Sequence, residues 1–419
     1  MATFSPVASP ADIAAVQDVL KEVWLSDALE SQLYEDTLVL DWVEDVTEYT
    51  DSDGLKASVP LRTGRTAGIS ARGVGQQLGV ANRQKVGKAS YNYTNQYLQV
   101  KVNGPVVARM STNRQACVRE IDLEVKNGIE DLRRDWVRQV YGDGSAVIAA
   151  NLPGNASSTT IPLGAANYYV IERGFLYEDM PVDIGTAANP TLDTGGNVIV
   201  DITDSPTAPA IIVQNATAVT AGSGVSRYGN RGANTSYELN GFGNMFSETA
   251  VLGTLNPATA DFWKAIRVHN SGVQRPLSID LLMTTIRRMR QKGKYPTRAV
   301  CDLFQEQQYY NLLQPQVQFA GDSKLHAGDT EGLTLGKLKE GLHGDPDCNP
   351  GRAYFMHEDA LFMVSAGPVA WQNQTTGGDI LAWEQGYDAF VARAAKYFQF
   401  ATDRRRSLGV LEDLELEVY

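Results

Sequence analysis

Residues 54–119 contain no Asp or Glu, yet they carry eleven bases: Lys56, Arg62, Arg65, Arg72, Arg83, Lys85, Lys88, Lys101, Arg109, Arg114 and Arg119. The same stretch is studded with Gly64, Gly68, Gly73, Gly75, Gly79 and Gly87 and has few large apolar residues. Glycine loses more backbone freedom on ordering than any other residue, and little apolar surface is present to offset that loss. Such a segment cannot build a core of its own. It has to lie on something else. The 53 residues before it are its electrostatic opposite, with thirteen acids against one base, Lys21. The three successive blocks carry formal charges of −12, +11 and −11, within a total of −12. Two adjoining arms of opposite sign are odd inside one compact domain. They make sense as complementary halves of a contact between copies, where charge sets register and encounter rate.

At 419 residues the chain is long for a single core, so two or three packed subdomains are expected. An apolar fraction of 43% and a charged fraction of 21% are those of an ordinary globular protein. No apolar run approaches the ~18 residues of a membrane span. The opening Met-Ala-Thr-Phe-Ser-Pro lacks the basic and apolar regions of a signal peptide, so the chain is expected to stay in the cytoplasm where it is made. Cys117, Cys301 and Cys348 are far apart and odd in number, which argues against a disulfide framework or a Cys-rich metal site. The acidic total makes a poor general binder of nucleic acid.

Along the chain, residues 11–46 read as helix, with a stripe at Ile13, Val16, Val19, Leu20, Val23 and Trp24 and a helical pattern resuming near 38–46. Residues 54–110 read as a long hairpin or loop, with strand-like runs at 55–62 and 89–102. In the second run Tyr91 and Tyr93 lie on one face and Leu98, Val100 and Val102 on the other. Residues 112–141 give the clearest helix, with Cys117, Ile121, Val125, Ile129, Leu132, Trp136 and Val140 at spacings of three or four, ended by Gly142-Asp-Gly144. Residues 145–235 turn to Thr, Ser, Ala, Gly and Asn with little charge; short apolar runs at 168–171, 198–202 and 210–213 predict an all-β unit. A helix over 277–293 has Ser278 as its N-cap and Arg287, Arg288, Arg290 and Lys292 at its negative end. A strand at 298–303 and a helix at 304–313 follow. Residues 314–350 look loop-rich, and the end alternates strands at 353–356, 360–364, 369–372 and 390–402.

No catalytic constellation emerges. His343-Gly-Asp345-Pro-Asp347-Cys348 is the densest set of metal-ligand residue types, but it lacks paired ligands at fixed spacing and reads as a surface turn. His357-Glu-Asp359 and Glu178-Asp179 read as polar turns. There is no Gly-x-Ser-x-Gly elbow and no phosphate-binding Gly-x4-Gly-Lys-Ser/Thr loop. Neither a cofactor nor a metal is expected. For the basic block three readings stay open: stacking of nucleic acid on the nearby Tyr91, Tyr93 and Tyr97, a solvated arm, and contact with the acidic surface of another copy. The last is best supplied by the chain itself, with Arg62, Arg65, Arg72, Arg83, Lys85 and Lys88 facing Glu35, Asp36, Asp41, Glu44 and Asp45.

The order of parts resembles the major capsid proteins of tailed bacteriophages, the HK97-type fold. Val59-Pro-Leu61 leading into a glycine-rich basic loop resembles the extended E-loop, and residues 112–143 resemble the spine helix of the peripheral P-domain. The stretch from Leu239-Asn-Gly-Phe-Gly-Asn244 to Phe262-Trp-Lys264 is similar to the family's region between its two domains. Helix 277–293 with the following strand and helix resembles the axial A-domain. Tyr387-Asp-Ala-Phe390 through Tyr397 and Arg404-Arg-Arg406 resemble the strand returning to the P-domain.

The resemblance implies an α+β chain with these divisions: an acidic, largely helical arm (1–53), the basic E-loop (54–110), the spine helix (111–150), a β-rich insertion (151–235), the A-domain and its connections (236–350), and A-domain strands returning to the P-domain (351–419). It implies hexamers and pentamers in an icosahedral phage head around double-stranded DNA, a separate scaffold protein, a portal, decoration proteins, no membrane and no catalysis. Residues 314–340 would be an axial loop. An encapsulin-like nanocompartment shares the fold and is the alternative. A β-rich carbohydrate-binding protein or enzyme built on residues 145–235 is a further one.

Overall fold

The computed structural model describes residues 38–47, 49, 56–66, 69–77, 83–103, 114–313, 338, 341–372 and 381–417; for 44–45, 102–103, 114–125 and 381 it describes the backbone alone. The helix read over residues 11–37, Glu35, Asp36 and, apart from Leu338, the axial loop of 314–340 lie outside the described residues.

Three apolar cores organise the chain. The first gathers the segments of opposite charge. Helix α1 (Leu38–Trp42) buries Val39 and then gives way to strand β1 (Glu44–Val46). The helical pattern expected through residue 46 therefore stops at Trp42: β1 runs parallel to the strand Phe362–Ser365, and that pairing overrides the local periodicity. Strands β2 (Lys56–Gly64) and β3 (Lys85–Asn92) form an antiparallel hairpin with Lys56 opposite Asn92. Strict alternation puts Ala57, Val59, Leu61, Ala89 and Tyr91 inward.

The run expected as one strand over 89–102 is two. The chain leaves the hairpin at Tyr93, and β4 (Thr94–Asn103) pairs instead with the long strand Ala389–Ala401 over ten positions, from Thr94 opposite Phe398 to Asn103 opposite Ala389. The change of face between Tyr91 and Leu98 marks the break, because one continuous strand cannot change the phase of its alternation.

Helix α2 (Arg114–Tyr141) is 28 residues long, about 42 Å at 1.5 Å per residue. It lies on β4 where Gly128 faces Leu98 and Val100. A Cβ at Gly128 would come within 3.1 Å of Leu98 Cδ1, so glycine sets how closely helix and sheet approach. Val137, Val140 and Tyr141 bury the C-terminal turns beside Phe242, Phe246 and Tyr354. The left-handed residue after the helix is Gly144 (φ 73°), just beyond Gly142.

The second core belongs to the β-rich unit. Strands β5 (Asn155–Pro162), β6 (Pro181–Gly185), β7 (Thr194–Thr203), β8 (Ala210–Val219) and β9 (Gly224–Arg227) form one sheet in the order β5-β8-β7-β6-β9. Ile161, Val182, Ile184, Ile199, Ile211 and Val225 fill its core. The run 168–171, expected as a strand, is instead the short helix α3 (Tyr168–Glu172). A four-residue apolar run has no readable period. Here a 3-10 turn at Ala165–Asn167 leads directly into helical backbone.

The third core lies under a five-stranded sheet that includes Ile266–Val268, Leu408–Leu411, Ala353–Met356 and Arg298–Cys301. Helix α4 (Ile279–Lys292) covers it with Leu282, Ile286 and Met289. Ser278 caps this helix, its Oγ accepting from Leu281 N at 3.3 Å. Helix α5 (Leu303–Leu313) follows.

Candidate interface and the joints that hold it

The outward face of the β2–β3 hairpin and its tip form a continuous basic surface. Lys56, Arg62, Lys85 and Lys88 are exposed along the strands, and Arg65, Arg72 and Arg83 are exposed at the tip and its return. Among the described residues, Lys56, Arg62, Arg65, Arg72, Lys85 and Lys88 form no ion pair. The tip also presents apolar side chains: Ile69 is 84% exposed and Val74 fully so, with Val86 close behind at 72%. A turn at Gly73–Gln76 ends the tip, with Gln76 N donating to Gly73 O and Gly75 in the left-handed region (φ 80°). Bare apolar side chains interleaved with cations suit a surface that another molecule covers.

The acids expected opposite this surface are placed differently from one another. Asp41 is exposed and pairs within the chain, accepting from Arg133 Nη2 of α2 at 2.7 Å. Glu44 and Asp45 sit on β1 in register with Phe362 and Met363. At this end the acidic arm is docked on its own subunit. Lys101, one of the eleven bases, is likewise engaged internally, by Glu384 at 2.7 Å and over the Tyr387 ring.

Two joints hold the cores together, and sequence reasoning assigned neither. The first is Arg405, fully buried with no acid beside it. Its guanidinium donates to four backbone carbonyls: Nε to Met245 (3.0 Å), Nη1 to Ala250 (2.7 Å) and Trp263 (3.3 Å), and Nη2 to Asn244 (2.6 Å). Burial pulls its pKa down to about 10, which leaves it charged at neutral pH. Carbonyl dipoles thus stand in for a counter-ion, and the planar five-donor fork matches their arrangement. The contact joins Arg404-Arg-Arg406 to the segment from Asn244 to Trp263, two stretches the sequence singled out separately. Gly241 makes the approach feasible, since a Cβ there would meet the carbonyl oxygens of Gln139 and Gly142 at 2.3 Å.

The second joint is the loop 345–349, where the expectation of a surface turn fails: Asp345 and Asp347 are both buried. Asp345 accepts from Tyr141 OH at 2.7 Å, and Asn349 Nδ2 donates to Tyr141 O at 2.7 Å. Arg134 of α2 donates to Asp347, and its other nitrogen donates to Arg173 O at 3.0 Å. Arg173, beside α3, donates to Cys348 O and, at 2.8 Å, to Asp302. One loop therefore binds the long helix, the β-rich unit and the third core. Burial, with Asp345 adding like charge, pushes the Asp347 carboxyl up to about 6 against the pull of Arg134. The alternation of Asp and Pro hid this in the sequence, because turn-forming residues read as exposed. Among the described residues no group of three or more His, Cys, Asp and Glu could hold a metal ion. No described helix is long and apolar enough to cross a membrane.

No protein-family model matches the chain, and no curated protein matches it in sequence. Solved structures do. The capsid asymmetric unit of cyanophage A-1(L) is similar over 93% of this chain and 95% of that one, with a TM-score of 0.51 at 11% identity. Weaker likenesses are to the capsid of a native GTA particle (TM-score 0.44, 10% identity, 99% of this chain and 100% of that one) and to the holo-SrpI encapsulin complex from Synechococcus elongatus (0.43, 9%, 96% and 98%). At such identities a likeness speaks to fold, and only the first is strong enough to carry that. From its hairpin to its last strand, the chain is built on the fold of a phage capsid protein.

Proposed function

We propose that the chain is the shell-forming subunit of a phage head. Copies assemble as hexamers and pentamers into an icosahedral shell around double-stranded DNA, and the subunit catalyses nothing. The β2–β3 hairpin is the extended loop of that fold, α2 its spine helix, and the third core its axial unit. The supporting observation is the hairpin tip: an exposed apolar and cationic arm, seated at its base on its own subunit and bare at its end. Burial of apolar surface supplies most of the association, and charge selects which surfaces meet. Scaffold, portal and decoration proteins are the partners this role requires. The DNA lies against the inner surface without sequence specificity, and the finished protein resides in the virion.

Electron microscopy of the chain expressed alone or with its scaffold tests this. Closed shells or capsomers are the expected result, and a strictly monomeric product in both cases would overturn it. Shells that enclose protein and no nucleic acid after infection would transfer the chain to the nanocompartment class.

A further inference from the structure

A cleft of about 2030 Å³ opens between β4, α2 and the β-rich unit. That is larger than the ~300–1,000 Å³ of an ordinary small-molecule site, so its natural occupant is polypeptide. Five large apolar side chains that the fold leaves exposed all line it: Tyr97, Tyr177, Tyr237, Leu303 and Leu416. They come from different elements, and the cleft alone brings them together.

Its charge is also one-sided. Seven acids line it against four arginines. Each of the four is engaged with an acid of its own subunit: Arg134 with Asp347, Arg138 with Glu238, Arg173 with Asp302 and Arg227 with Asp135. Asp131 and Glu417 are left with no ion pair among the described residues. One wall is the strand β4, whose first half, Thr94–Leu98, faces the cleft. Beyond its pairing with Ala389–Ala401, β4 makes no backbone hydrogen bond among the described residues. It is a long, regular sheet edge, the feature that invites an added strand.

The hairpin tip has the complementary set of needs. Residues 69–72 are exposed and form no backbone–backbone hydrogen bond among the described residues. Ile69 and Val74 have no apolar cover, and Arg65 and Arg72 have no acid among the described residues. We propose that the tip around Ile69–Val74 of a second copy docks in this cleft, its extended backbone running beside β4 and its cations facing Asp131 and Glu417. This rests on the shell reading and gives the β-rich unit a role in assembly, as the far wall that closes over a neighbour's arm.

Cysteine pairs in the full-length chain test it. Val74→Cys is combined with Leu303→Cys or Tyr237→Cys at the rim, or with Val200→Cys, which is exposed on β7 outside the cleft. Assembled particles are treated with a short thiol cross-linker and run on a denaturing gel. Multimer ladders with either rim cysteine and none with Val200→Cys are expected. Intact shells that yield only monomer, or ladders of equal strength with Val200→Cys, would overturn the docking and leave the shell reading standing. A ladder lost in DNA-free shells would assign the tip to nucleic acid. Particles that never form would remove both.

Discussion

Two sets of cations in this chain meet opposite fates. Arg405 is sealed in the interior and holds four backbone carbonyls. Arg62, Lys85 and Lys88 stand in water on the hairpin and hold nothing charged among the described residues. A buried charge has to satisfy its own subunit's backbone, because an unpaired cation there would cost several kcal/mol. An exposed one contributes little to folding and remains available to a partner. The contrast separates residues that make the subunit from residues that bring subunits together, and substitutions can probe it from either side.

The largest effect is expected at the buried end. Arg405→Ala strands four carbonyls whose desolvation costs ~1–3 kcal/mol apiece, less whatever water recovers, so a loss of roughly 4 kcal/mol is expected. Thermal unfolding of the unassembled subunit measures it. Retention of wild-type stability would mean that the carbonyls find other donors. Gly241→Ala attacks the same joint by crowding, with three carbonyl oxygens of residues 139–142 within 2.6 Å of the new Cβ. A loss of about 2–3 kcal/mol is expected in the same assay, at the upper end for a single substitution.

The 345–349 joint gives a pH signature. The Asp347 carboxyl titrates higher in the fold, at about 6, than the 3.8 of a free side chain, so the folded state binds the extra proton. Stability from this group is therefore gained as pH falls through 6 and lost as pH rises through it. Between pH 7 and pH 5 wild type should gain about 1 kcal/mol relative to Asp347→Asn, which carries no proton to gain. Parallel stability curves for the two proteins would show that Asp347 does not titrate in that window.

At the exposed end, Arg62→Glu, Lys85→Glu and Lys88→Glu together should move subunit stability by no more than ~0.5 kcal/mol. Shell formation should nonetheless be lost or distorted, and partly restored by a change in ionic strength that weakens the new repulsion. Normal shells at every salt concentration, seen by electron microscopy, would erase the distinction between the two sets of cations.

What the sequence disclosed tracks how local each feature is. Helix α2 was expected over 112–141 and α4 over 277–293, and they run Arg114–Tyr141 and Ile279–Lys292. Their apolar stripes and the Ser278 cap are neighbours along the chain, so a window of residues contains the signal. The hairpin was visible from alternation and glycine. Its cations were legible as a charge block, although Lys101 and Asp41 turn inward to partners at positions 384 and 133. The break at Tyr93 was present as a change of face but needed the strand 389–401 to give it meaning. Arg405 and the buried pair Asp345 and Asp347 were illegible for the same reason. None of the four acceptors of Arg405 is near it along the chain, and an Asp beside a proline looks the same whether it faces water or Tyr141.

The seat of the hairpin also dictates when the subunit becomes competent during synthesis. Tyr91 OH donates to the carbonyl of Thr402, and β4 waits for residues 389–401 to complete its sheet. The arm thus leaves the ribosome some three hundred residues before the surface that fixes its base. The β-rich unit closes its core within residues 148–225 and can fold early. A chain halted at residue 388 should protect only that unit from protease. Nascent copies on one message would carry the adhesive tip without a rigid mount, so assembly is deferred until each chain is essentially finished.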